Sequence, residues 1–171
     1  MEANVRIHTQ RLVIEPFRPA FLEDYYREFT AEVTQYQYPD PFSDLEAARR
    51  VLSGFLEDMD RGEMLELVIL SREGEFLGSA EVFGLREEAP EIGLWLKPTV
   101  QGKGYGYEAL RAVVDYLNSL KKYRYYIYEA DVRNVPSLRL IEKFRHEKGE
   151  GQKVTTERGK ELVLQSYRVF A

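Results

Sequence analysis

A chain of 171 residues, 44% of them hydrophobic, is long enough for one domain spanning residues 1–171 with a sizeable core. It contains no cysteine, which excludes disulfides, thiolate zinc sites and a cysteine nucleophile and is compatible with the cytoplasm. A net charge of −5 argues against general nucleic-acid binding, which needs clustered Lys and Arg. No apolar run approaches the roughly 20 residues of a spanning helix, and the opening "MEANVRIHTQ" has no stretch of the signal-peptide kind, so no membrane partner is expected.

The apolar run "RLVIEPF" (11–17) reads as a strand. "PAFLEDYYREFT" (19–30) places Phe21, Leu22, Tyr25, Tyr26 and Phe29 at helical spacing. "QYQYPDPF" (35–42), with two prolines, is a loop. Ser43 then resembles an N-cap, with Glu46 completing a capping box. The helix it opens runs to about Arg61 and is expected to bury Leu45, Val51, Leu52 and Phe55. "MLELVILS" (64–71) and "FLGSAEVFGL" (76–85) flank the turn "REGE" as a hairpin, and "EIGLWL" (91–96) is the next strand. A helix over 105–120 follows the glycines, then an aromatic strand over 123–132. "NVPSLRLIEKF" (134–144) reads as a loop entering a helix, with Pro136 tolerated in its first turn. Two late strands, near 150–156 and over 161–170, flank "ERGK". This order predicts a mixed sheet with helices on its faces, an α+β or α/β domain. A right-handed crossover would set the strand after the helix parallel to 91–96, with the glycine turn at the carboxyl end of a central strand, where open sheets bind ligands.

Residues 101–106, "QGKGYG", hold three glycines at alternate positions. Glycine admits positive φ and lets backbone N–H groups approach a ligand. A strand, a glycine turn and a helix N-terminus together favour an anion, and Lys103 adds positive charge. No Lys-Ser or Lys-Thr pair follows, so the turn is not a P-loop. The third glycine comes one residue early for the dinucleotide fingerprint G-x-G-x-x-G. The remaining pattern is [QR]-x-x-G-x-[GA], met by Gln101, Gly104 and Gly106. It is short and permissive, and a glycine loop without a ligand is its bland alternative.

Context favours a ligand. "TQRLVIEPF" (9–17), "EFLGSAEV" (75–82), "EIGLWLKPTVQGKGYGYEAL" (91–110) and "NVPSLRLIEKF" (134–144) together resemble the GCN5-related N-acetyltransferases (GNAT), RimJ/RimL-like branch, across nearly the whole chain. The resemblance implies a GNAT-like central, mostly antiparallel sheet with a splayed parallel strand pair and flanking helices. It implies acetyl-CoA as acetyl donor and direct transfer to a primary amine of a small molecule or a protein N-terminus. Carried over residue by residue, the segment Leu94, Trp95 and Leu96 would meet the pantetheine, and an amide near Leu96 would polarise the thioester carbonyl. The amides of Gln101, Gly102, Lys103, Gly104, Tyr105 and Gly106 would hold the pyrophosphate. Asn134 would bond the pantetheine from the neighbouring strand end, and Ser137 would assist the departing sulfur. Glu91 is the first candidate for the base and Glu81 the second; a strand-end glutamate in water is the plain alternative for Glu91.

Two departures from the family pattern stand out. The tyrosine that many relatives place seven residues after the motif asparagine is Ile141 here, and "EK" runs directly into Phe144 without the usual glycine. They motivate the rival reading, a CoA- or acetyl-CoA-binding module without transfer. The resemblance places the acceptor near Tyr36, Tyr38, Pro39, Phe42 and residues 150–160, without selecting among peptide N-termini, polyamines, amino acids and antibiotics. Family members are often dimers, so a homodimer stands as an expectation. His8 and His146 are too isolated to suggest a metal site.

Overall fold

The computed structural model describes residues 4–170. Its elements in chain order are β1 (Ile7–His8), β2 (Leu12–Pro16), α1 (Leu22–Glu28), α2 (Leu45–Asp60), β3 (Met64–Ser71), β4 (Phe76–Phe83) and β5 (Glu91–Leu96). They continue as α3 (Tyr105–Ser119), β6 (Tyr126–Asp131), α4 (Val135–Glu142), β7 (Arg145–Thr155) and β8 (Glu161–Phe170). One sheet runs β1-β2-β3-β4-β5-β6-β8-β7. Its pairs are antiparallel except β5 with β6, the pair joined by the α3 crossover. The expected mixed, mostly antiparallel sheet is therefore present.

Side chains alternate across this sheet and fill a core on each face. Leu65, Leu67 and Ile69 of β3 pack toward α3, with Leu110, Val113 and Leu117 from that helix. Val68 and Leu70 pack toward α1 and α2, with Tyr25, Phe29, Leu52 and Trp95. A strand covered on both faces reads as a continuous apolar run, as "MLELVILS" does. Glu66 is the exception inside it, fully buried on the α1 and α2 face.

Local chemistry moves several boundaries. Asp44, not Ser43, caps α2: its Oδ1 accepts from Ala47 N at 2.7 Å, and the carboxylate also suits the positive helix end. Val51 is 42% exposed because α2 turns Ala48 and Leu52 inward and leaves their neighbour in solvent. The first helix is shorter than expected, since 19–21 form a 3₁₀ turn before α1. β7 begins at Arg145, earlier than expected, and pairs with Phe170. Its residues are largely exposed at the sheet edge and lack the alternation that reveals a strand. No helix of the described residues is long and apolar enough to cross a membrane.

Candidate active site

β5 and β6 stay in register only at Glu91 and Ile127, where Ile127 N donates to Pro90 O at 2.9 Å. Beyond that point the two strands part. Lys97 N donates to Leu77 O at 2.8 Å, so by alternation the odd-numbered residues of β5 bond β4, while Leu94 and Leu96 turn their backbone groups toward the opening. Side chains already reach those groups: Gln37 Nε2 donates to Leu94 O at 3.3 Å and Gln101 Nε2 to Leu96 O at 2.8 Å. Trp95 is placed differently. Its backbone faces β4, and its ring is buried against Tyr25, Phe29 and Phe76.

The glycine turn lies at the carboxyl end of β5. Gly102 and Gly104 hold φ of 76° and 83°, in the left-handed region that favours glycine. Gly104 is the N-cap of α3, a helix of 15 residues, so the turn leads into a helix N-terminus. Gly106 needs no special φ and lies in the first helical turn near Leu94, Leu96 and Leu140. Lys103 is exposed, and Tyr105 has the Arg11 guanidinium 4.3 Å above its ring.

A cleft of about 780 Å³ opens between β5 and β6 and is roofed by the loop at 36–39. It brings Glu81, Glu91, Leu94, Asn134 and Ser137 together, with Tyr128 and Glu129; the glycine turn is outside its lining. Glu91 is exposed at the start of β5, and partial burial with the nearby Glu129 carboxylate raises its pKa. Glu81 sits one strand further in, opposite Gly93, and burial raises its pKa to about 7. Its Oε2 is 3.7 Å from where a Gly93 side chain would begin, so the missing Cβ leaves space beside that oxygen. Its Oε1 accepts from Ser79 Oγ at 2.5 Å.

On the β6 side Asn134 caps α4, with Oδ1 accepting from Ser137 N at 3.3 Å. The Ser137 hydroxyl meets the Tyr128 hydroxyl, and burial raises the Tyr128 pKa to about 12. Ile141 is fully buried in the core below. The missing glycine after Lys143 is replaced by a tightened last turn. Lys143 N and Phe144 N donate to Leu140 O and Ile141 O, and β7 starts at the next residue without positive φ. Lys143 lies over the Tyr107 ring.

The residues alone assign no role to Arg11 or Ser79. Arg11 stands in the quoted opening segment, but its partner is 97 positions away. An acidic residue inside an otherwise apolar strand was the available signal for Glu66. Among the described residues, no group of His, Cys, Asp and Glu is arranged to hold a metal ion.

Strand order, a parting parallel pair and a glycine turn at a helix N-terminus define the acetyltransferase class to which the sequence pointed. The family described as "Acetyltransferase (GNAT) domain" matches residues 11–146, and the chain belongs to that family. It is an acetyl-CoA-dependent N-acetyltransferase. An N-acetyltransferase 9-like protein of Caenorhabditis briggsae is 25% identical over 156 residues, covering 84% of this chain and 77% of that one. The solved RimL ribosomal L7/L12 alpha-N-protein acetyltransferase in complex with coenzyme A superposes with a TM-score of 0.86 at 17% identity, covering 97% of this chain and 98% of that one. Spermidine N-acetyltransferase from Vibrio cholerae, in complex with CoA and spermine, gives 0.79 at 12% identity, covering 95% and 97%.

Proposed function

We propose that the cleft between β5 and β6 is where an amine of a cationic acceptor is acetylated, with Glu81 as the base. The observation that carries this reading is a carboxyl group lining the cleft beside Gly93, whose burial raises its pKa to about 7. Such a group accepts a proton from an ammonium at neutral pH more readily than an ordinary carboxylate. Glu81, Glu91 and Glu129 line the cleft and, among the described residues, no Lys or Arg does, which suits an acceptor carrying positive charge.

The chain's residues fit acetyl-CoA, whose thioester supplies an activated acetyl group and a sulfur leaving group. The amides of 101–106 would hold its pyrophosphate at the head of α3. Leu94 and Leu96 offer backbone groups along the opening, and Asn134 faces them from the start of α4. Glu81 receives the ammonium proton, so that a neutral nitrogen can attack. Ser137 would hydrogen-bond the leaving sulfur and relay to it a proton that cleft water supplies, with the Tyr128 hydroxyl holding the Ser137 hydroxyl in place. Trp95 acts as core that fixes β5 rather than as a contact.

Glu81 must be ionised to act, so kcat/KM should fall as pH drops through about 7. Replacing Glu81→Gln should lower kcat/KM about 100-fold or more at neutral pH, with acetyl-CoA affinity by calorimetry close to wild type. Unchanged turnover would remove Glu81 from the role. Glu91 is the second reading, favoured by its own raised pKa in the same cleft. Glu91→Gln should leave the acid limb in place; loss of that limb would move the base to Glu91.

A further inference from the structure

Ser79 has one hydroxyl proton and two carboxyl neighbours. Its Oγ lies 2.5 Å from Glu66 Oε1 and 2.5 Å from Glu81 Oε1. One hydroxyl can donate to only one of them, so a contact this short to the other requires a proton on that carboxyl group. Burial decides which. Glu66 is fully enclosed, and its Oε2 has no hydrogen-bond partner. An ionised Glu66 would leave that oxygen charged and bare, whereas Glu81 opens onto the cleft. The other polar group at the pair is Tyr25 from α1, whose hydroxyl donates to Glu66 Oε1 at 2.9 Å and lies a longer 3.4 Å from Ser79 Oγ. Neither carboxylate has an ion-pair partner among the described residues.

We infer that Glu66 is a positioning residue, held as the neutral acid, which donates to Ser79 and thereby commits the single Ser79 proton to Glu81. The chain runs Tyr25 O–H to Glu66 Oε1, Glu66 O–H to Ser79 Oγ, and Ser79 O–H to Glu81 Oε1. It leaves Glu81 Oε2 as the oxygen of this pair that faces the cleft. Because Glu66 is already protonated, the ammonium proton stops at Glu81 and leaves by the cleft rather than through the core. This inference rests on the reading of Glu81 as the base.

Infrared difference spectra test the proton without turnover. They are recorded on the whole chain at about pH 8, one unit above the Glu81 midpoint of about 7. The carbonyl stretch of a protonated carboxylic acid should be present in the wild type, absent in Glu66→Gln and retained in Glu81→Gln. No such band in the wild type, or a band lost only in Glu81→Gln, would overturn the assignment. Kinetics test the consequence. Glu66→Leu should lower kcat about tenfold with the acetyl-CoA KM unchanged, the scale of one charge-assisted hydrogen bond. Glu66→Gln, a neutral donor of the same shape, should restore kcat to within about threefold; a Gln variant no better than the Leu variant would overturn the donor role. If Glu66→Leu does not fold, the spectra decide alone. If Glu81→Gln proves fully active, the base reading fails while the spectra still report where the proton sits.

Discussion

Arg11 and Glu108, 97 positions apart, close a 2.6 Å contact between Nε and Oε2 that ties the start of β2 to the first turn of α3. Arg11 N and Thr9 Oγ1 both donate to the other Glu108 oxygen, at 2.8 and 2.7 Å. The guanidinium also donates to Lys103 O at 2.9 Å and lies over Tyr105. Burial pushes the Glu108 carboxyl up, but the Thr9 and Arg11 bonds outweigh it and hold the pKa below the usual value. One cation thus clamps the glycine turn and neutralises an acid placed beside the proposed pyrophosphate site. Arg11→Gln would leave the Glu108 charge uncompensated close to the amides of 102–106. Acetyl-CoA affinity should fall about tenfold, or about 1.4 kcal/mol, by calorimetry. Adding Glu108→Gln to that variant should recover part of the loss.

Gly78 on β4 pairs with Leu96 on β5, and the β5 backbone fills the space where a side chain would begin. A Cβ there would lie 2.0 Å from Trp95 O and 2.9 Å from Leu96 Cα, both backbone atoms that cannot step aside. Gly78→Ala should therefore push β5 away from β4 and narrow the opening toward β6. A cost of about 3 kcal/mol or more, at the upper end for overpacking, is expected. Urea unfolding should show it as a lower midpoint. Gly102→Ala meets no atom within 4 Å and bears only the strain of its φ of 76°, so about 1 kcal/mol is expected there.

The sheet was legible where side chains sort by face. "MLELVILS" and "EIGLWL" match β3 and β5 end to end because their burial pattern is written in the residues. β7 was half hidden because its residues meet solvent, and an exposed edge strand is recorded only in its partner's register. The glycine turn was legible because Gly102 and Gly104 need φ that other residues resist. What the sequence could not carry were side-chain meetings across the fold. Glu66 and Glu81 lie in one register pair of β3 and β4, and only the pairing puts Ser79 between their carboxyl groups. Arg11 looked like one residue of a segment until α3 brought Glu108 to it.

Asp131 closes β6 and sets the acid stability of this corner. Its buried side chain accepts from Arg133 Nε at 2.8 Å, from Arg133 Nη2 and N at 2.9 Å each, and from Val163 N at 2.9 Å. The Arg133 side-chain bonds lead in lowering its pKa to about 2. A folded-state pKa below the unfolded value gives stability that is complete above about pH 4 and is lost as pH falls through about 2, amounting to about 2 kcal/mol. Asp131→Asn should cost a similar amount at neutral pH and flatten the dependence of the urea midpoint on pH between about 4 and 2. An equally steep dependence in the variant would place that acid sensitivity elsewhere.

Asp40 joins the loop over the cleft to the late hairpin. Its Oδ1 accepts from Thr156 Oγ1 at 2.9 Å and its Oδ2 from Arg158 N at 3.1 Å, and Lys160 Nζ stands 3.6 Å away. Lys160 Nζ donates in turn to Thr34 O at 2.7 Å and Pro39 O at 3.2 Å, so both sides of the loop are held from one cation. The same loop places Tyr36, Gln37, Tyr38 and Pro39 on the cleft wall facing Glu81 and Glu91. Losing Asp40 would free that wall without touching the glycine turn at the far end of β5. Asp40→Ala should raise the acceptor KM about five- to tenfold, the scale of one or two hydrogen bonds, and leave acetyl-CoA binding within about twofold. Both constants come from one two-substrate kinetic series. Parallel rises in the two would mean that the loop supports the whole cleft, whereas a rise in the acceptor constant alone assigns this wall to the amine.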